Sequence, residues 1–154
     1  MRLRSLLNLA FLVILIGCGP TSVPDELIGN WETQKGPLTV RTEPKRMKFY
    51  FTKDTVTCEL KITKDKTAEG RIGNATFTNG KVKPNWGLPV EMTGVSCTIS
   101  FILEGKIFEK DSIPKKRVEF WLGPVDKDFT AEVRYTEGGA QFPMGEFTFY
   151  RVEE

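Results

Sequence analysis

Chemistry has little to work with in this chain, which holds no histidine and three cysteines among 154 residues. The missing histidine removes Ser-His and Cys-His nucleophile pairs and every His-ligated zinc or iron site. Ser112-Ile113-Pro114-Lys115 keeps the S-x-x-K spacing in which a lysine amine takes a serine proton. That chemistry needs the serine at a helix start, whereas Pro114 puts the stretch in a loop, and the sequence has no S-D-N or K-T-G partner. Asp126 and Asp128 flank Lys127 in a turn, the ordinary place for solvated acids. Lys115-Lys116-Arg117 reads as an exposed strand start rather than a binding patch. Two further cysteines, Cys58 and Cys97, cannot fill a metal's coordination without histidine or a second pair. The chain therefore reads as a non-enzyme without metal or cofactor.

Cys18 stands in a different context. Arg2 and Arg4 precede an apolar run from Leu6 to Ile16 that only Asn8 interrupts. As a helix those eleven residues rise only about 16 Å, against roughly 30 Å of hydrocarbon, so the run reads as a secretory signal rather than a spanning helix. It ends in Leu15-Ile16-Gly17-Cys18, which resembles the lipobox of bacterial lipoproteins. The resemblance implies that the Cys18 thiol takes a diacylglyceryl group, that residues 1–17 are removed, and that the chain is held on a membrane by acyl chains. Each buried CH₂ contributes about 0.8 kcal/mol, so one chain is a marginal anchor and two or more a firm one. Gly19 in place of Asp after the cysteine favours the outer over the inner membrane of the bacterial envelope. Lys and Arg number 22 and Asp and Glu 20. Arg2 and Arg4 account for that excess, so the mature chain is balanced and offers no electrostatic case for nucleic acid.

Beyond the signal, apolar residues recur at every second position. Met47, Phe49 and Phe51 alternate with polar neighbours; after Lys53-Asp54 come Val56, Cys58, Leu60 and Ile62. Val95 to Leu103, Val118 to Leu122, Phe129 to Tyr135 and Phe147 to Phe149 continue the pattern. Half-buried antiparallel strands need this period, since successive side chains point to opposite faces. Thr78-Asn79-Gly80-Lys81 carries the strongest hairpin signal, a type I′ turn that would set Phe77 opposite Val82. Glu104-Gly105 reads as a tight connection and Gly138-Gly139 as a looser one, while the phase slip at Gly73-Asn74 suggests a β-bulge. Eight to ten short strands make an all-β domain over residues 27–154, an up-and-down antiparallel barrel or, alternatively, a β-sandwich. Residues 18–26 form a tether, and at 3.3–3.6 Å per residue it spans at most about 30 Å.

Leu27-Ile28-Gly29-Asn30-Trp31 resembles the G-x-W motif that opens lipocalins and the shorter bacterial lipocalin-like domains. The resemblance implies that Trp31 packs across the base of a barrel near Arg151, at the end of the last strand, Phe147 to Val152. It also implies a binding module for a small apolar ligand or another envelope component. Alternation places Phe49, Phe51, Leu60, Ile99, Phe101 and Phe120 near strand middles, where they would line an apolar pocket. The same aromatics can instead fill a narrow barrel, and an interior without room favours a protein-binding module such as a protease or lysozyme inhibitor. With Cys18 lipidated, Cys58 and Cys97 are a candidate disulfide in an oxidising compartment, closing a loop of about 40 residues for roughly 4 kcal/mol. Two buried free thiols are the other reading. Tyr50, Ile102, Trp121 and Tyr150 fall on outward faces, and Pro84 to Pro89 reads as a lid or an ordered loop.

Overall fold

The computed structural model describes residues 22–45, 48–85, 90–109 and 115–153, with backbone alone for 41–45 and 48–52. The expected signal peptide over residues 1–17, Cys18 with the residues that resemble a lipobox, Met47, Ser112 to Pro114 and Trp86 to Pro89 lie outside the described residues.

A 3-10 turn, Asp25–Leu27, leads into β1 (Gly29–Thr33). There follow β2 (Gly36–Lys45), β3 (Lys48–Val56), β4 (Cys58–Ile62), β5 (Thr67–Ile72) and β6 (Ala75–Pro84). After a short helical turn, Val90–Thr93, come β7 (Cys97–Glu104), β8 (Lys115–Leu122), β9 (Asp128–Glu137) and β10 (Ala140–Arg151). Eight of these strands close into an antiparallel barrel in the order β1-β10-β9-β8-β7-β6-β5-β4, and β2 and β3 form a separate two-stranded sheet. The wall is thus an up-and-down meander into which one hairpin is inserted after the first strand. Closure leaves the wall without edge strands, which settles barrel against sandwich.

The period-two pattern does what the geometry requires. β4 and β7 alternate strictly between buried and more exposed positions. The inward residues carry a column of rings along the barrel axis. Phe77 stacks on Phe101 at 3.8 Å, Phe101 meets Phe120 edge-on at 5.0 Å, and Phe120 meets Phe149 at 5.7 Å. Phe149 stacks on Phe129 at 5.1 Å, and Phe129 meets Trp31 at 4.7 Å. Each such pair contributes about 0.5–1.5 kcal/mol beyond the area it buries.

Several connections differ from the sequence expectation. Asn79-Gly80 is not a turn: β6 runs through it with a bulge. Phe77 pairs with Gly70 and Gly80 with Ala68, so Thr78 and Asn79 face one residue of β5. The glycine serves close approach, because a Cβ at Gly80 would sit 2.7 Å from the Ala68 carbonyl oxygen. The true tight turn is Gly73-Asn74, which joins the paired residues Ile72 and Ala75 with Gly73 at φ +57°. Expected turn and expected bulge have exchanged places. Gly138-Gly139 is another two-residue turn, both glycines at positive φ between paired Glu137 and Ala140. Lys53-Asp54 lies within β3, and the strand break comes at Thr57 instead. Glu104-Gly105 begins the long connection to Lys115 rather than a tight one. Val95 precedes β7.

Candidate functional site

The base of the barrel is built from the chain's first and last wall strands. Trp31 and Arg151 are partners in the β1–β10 register. Trp31 is 1% exposed, and its indole Nε1 donates to the Leu27 carbonyl at 2.9 Å. The Arg151 guanidinium lies 4.4 Å from the centre of the Trp31 ring. Its Nη1 donates to the Ile28 carbonyl at 3.0 Å and its Nη2 to the Glu26 carbonyl. Gly29, at φ +141°, has no room for a side chain, since a Cβ would come 2.7 Å from Arg151 Nη1. With Leu27 fully buried beneath, this is a plug. Two of the arginine's donors go to backbone carbonyls and its face to the indole, so the cluster closes the barrel.

Of the six residues expected to line a pocket, Leu60, Ile99, Phe101 and Phe120 do converge on the barrel interior, each at most 3% exposed. There they are packed with the ring column in one buried apolar cluster. Phe49 and Phe51 are placed by their backbone alone, since their side chains lie outside the described residues. They belong to β3, which pairs only with β2, Phe51 opposite Arg41, outside the wall. Alternation identified them as a two-faced strand and could not say which sheet they enter.

The opposite end is closed by insertions. The β2–β3 hairpin crosses β10 where the strand bulges between Pro143 and Gly145. A Cβ on Gly145 would lie 2.7 Å from the Pro37 carbonyl oxygen, and Gly36 sits against the Phe147 ring. Leu38 and Val40 of the hairpin, with Ile107 and Phe108 of the β7–β8 connection, are buried here. Beside them opens a cleft of about 370 Å³ whose lining includes Lys35, Asp54, Thr57, Arg71, Asn74 and Glu109. Arg71 is bonded to Glu59, and the remaining charges are mixed in sign, so no single ligand charge is selected. Lys116, expected on an exposed edge, is only 6% exposed on the inward face of β8 opposite Leu103, and β8 lies inside the wall between β7 and β9. Its methylene stem adds to the apolar lining.

The cysteine bridge is corrected: Cys58 and Cys97 are free thiols, both buried. They sit on β4 and β7 with β5 and β6 between them. Three strand steps amount to about 14 Å along the wall, twice the reach of a disulfide. Burial pushes each thiol up to about 12, against the smaller opposing effect of hydrogen bonds from Thr33 at Cys58 and Ser96 at Cys97. Both thiols therefore stay protonated, and poor nucleophiles, at neutral pH. Among the described residues no group of three His, Cys, Asp or Glu side chains is placed to hold a metal.

On the outer wall, Trp121 carries the Arg134 guanidinium at 4.1 Å from its ring centre. Its Nε1 donates to Glu119 Oε2 at 3.1 Å, which Gln141 also reaches at 2.9 Å. The outward aromatic is thus half-buried by its polar neighbours. Tyr150 is 43% exposed on β10, while the Tyr50 side chain is outside the described residues. Sequence reasoning passed over the neighbouring groove on β6, β7 and β8, about 440 Å³, whose lining includes Lys81, Lys83, Ser100, Ile102 and Arg117. The signal for it was the alternation of Lys81 and Lys83 on the polar face, which by itself looks like any solvated strand. Comparison of the chain with protein-family models, with curated proteins and with solved structures finds no match.

Proposed function

We propose that the protein is a lipid-anchored, non-enzymatic binding module of the bacterial envelope that engages an envelope protein through the outside of its barrel. The observation that carries this reading is the filled interior: Phe77, Phe101, Phe120, Phe149, Phe129 and Trp31 touch in series along the axis. A cup for a small apolar ligand needs empty volume of a few hundred Å³ inside the wall, and the rings stand where that volume would be. The lipobox at Leu15 to Cys18 supports the anchor. The Trp31–Arg151 lock is the arrangement that the lipocalin-like resemblance implies, and it supports kinship with the filled members of such barrels.

Titration of the acyl-free protein with a panel of fluorescent fatty-acid-like probes tests the outside-binding reading. No saturable binding is expected. Saturable binding that weakens in a folded Phe101→Gln variant would restore the cup. The anchor has its own test: the mature N-terminus should carry acyl mass on Cys18, and Cys18→Ala should block processing. An unmodified mature N-terminus would remove the anchor and leave the barrel's binding surface as a separate question.

A further inference from the structure

Among the described residues, two sectors of the barrel wall balance their charges across neighbouring strands, β4 with β5 and β7 with β8. Lys61 of β4 pairs with Glu69 of β5 at 3.1 Å, Glu59 with Arg71, and Lys115 of β8 with Glu104 of β7 at 3.3 Å. One sector does not. Lys81 stands between Thr67 and Ser100, Lys83 beside Thr98, and Arg117 between Ile102 and Thr136. None of the three has a carboxylate opposite, yet all line one groove of about 440 Å³. Glu119 lines the groove as well, but its carboxylate is held by Trp121, Gln141 and Ser100.

The groove follows from the bulge in β6. Between the pairs Thr76–Glu104 and Lys81–Ser100, β6 has one residue more than β7, and the ladder between them is interrupted. Asn79 repairs it from the side, its Oδ1 accepting the Ile102 N–H at 3.0 Å. The result is a furrow beside β6, with half-buried Ile102 on its floor and cations on both banks. Lys81 and Lys83 are two residues apart on a strand, about 6.8 Å, which is also the repeat of same-side side chains on any extended chain.

We propose that this furrow binds an extended acidic segment of a partner protein, with carboxylates at alternate positions meeting Lys81 and Lys83 and a further acid meeting Arg117. The proposal deepens the outside-binding reading and rests on it. Two features favour a peptide over a lipid headgroup. The cations form a row at strand spacing with an apolar floor, whereas a phosphatidylglycerol headgroup presents one phosphate. The furrow also opens sideways on the wall, while the chain enters the barrel at its base, where Leu27 and Trp31 are buried.

The test uses the lipidated protein in uncharged detergent micelles and short synthetic peptides with acids at every second residue. Fluorescence anisotropy should show saturable binding that weakens as salt rises. Lys81→Glu with Lys83→Glu should weaken it by about tenfold or more, and the Gln pair by less, while Lys127→Glu on a distant turn leaves it unchanged. Circular dichroism confirms that each variant is folded. Three results would overturn the proposal: equal binding of a peptide with the same acids made contiguous, equal loss in Lys127→Glu, or binding of phosphatidylglycerol vesicles without binding of the peptide. Concentration-dependent dimerisation abolished by the Lys81 and Lys83 changes would also overturn it, naming a second copy as the occupant. Failure here with the fatty-acid-probe result intact sinks the furrow alone; saturable probe binding sinks the broader reading.

Discussion

The two ends of the barrel are closed in different ways. At the base, neighbouring strands do the work: Trp31 and Arg151 face each other in register, and Leu27, one turn before, fills the space beneath. At the far end, segments that leave the wall fold back over it, placing Leu38, Val40, Ile107 and Phe108 with no shared register. The first kind of closure is tied to the sheet and fails only with the sheet. The second is a packing of separable parts, so it can open on its own.

Breaking the base should therefore cost most. Trp31→Ala removes the largest buried side chain among the described residues and is expected to destabilise by about 3–5 kcal/mol in urea unfolding, lowering amide protection in all eight wall strands. Leu38→Ala at the far end should instead speed exchange in β2 and β3 while the wall keeps its protection. Equal loss of wall protection in both variants would erase the distinction between the ends.

The thiols sharpen the same contrast, because Cys58 lies toward the far end and Cys97 toward the base. Both are raised from 9.0 to about 12 by burial. Above pH 9 the unfolded chain ionises thiols that the folded chain keeps protonated. Stability is then full below pH 9 and falls as pH rises toward 12, by up to about 1.4 kcal/mol per pH unit per thiol. Unfolding at pH 8 and pH 10 should show a drop that shrinks in Cys58→Ala and again in the double alanine variant. In the native state at pH 8, a thiol reagent should reach Cys58 by local opening before Cys97.

Smaller effects follow from single polar groups. Arg151→Met loses two hydrogen bonds to carbonyls and the indole contact, about 1–2 kcal/mol by thermal melting, with blue-shifted Trp31 emission lost as water enters. Asn79→Ala should cost about 1 kcal/mol and raise the exchange rate of the Ile102 amide, leaving both ends untouched.

The sequence displayed the base more clearly than the far end, and the reason is physical. Gly29, Trp31 and Arg151 act through adjacent strands, so their types and positions carry the whole arrangement. Leu60, Ile99, Phe101 and Phe120 were legible as inward because a strand has only two faces. Phe49 and Phe51 show the same alternation, but period two cannot distinguish a wall strand from an inserted hairpin. Asn79-Gly80 misled because local turn propensity is modest, and here the Ala68 carbonyl demanded a glycine for proximity. The furrow was hidden because it depends on that bulge.

The lock at the base also imposes an order on assembly. Arg151 reaches Ile28, 123 residues earlier in the chain, and β1 has no second neighbour until β10 arrives. A chain emerging from its N-terminus would carry an open sheet, with β1 and β9 as sticky borders, until its last residues appear. Arg151 thereby marks completion: a chain truncated before β10 lacks the strand that shuts the wall and leaves β1 and β9 as open edges.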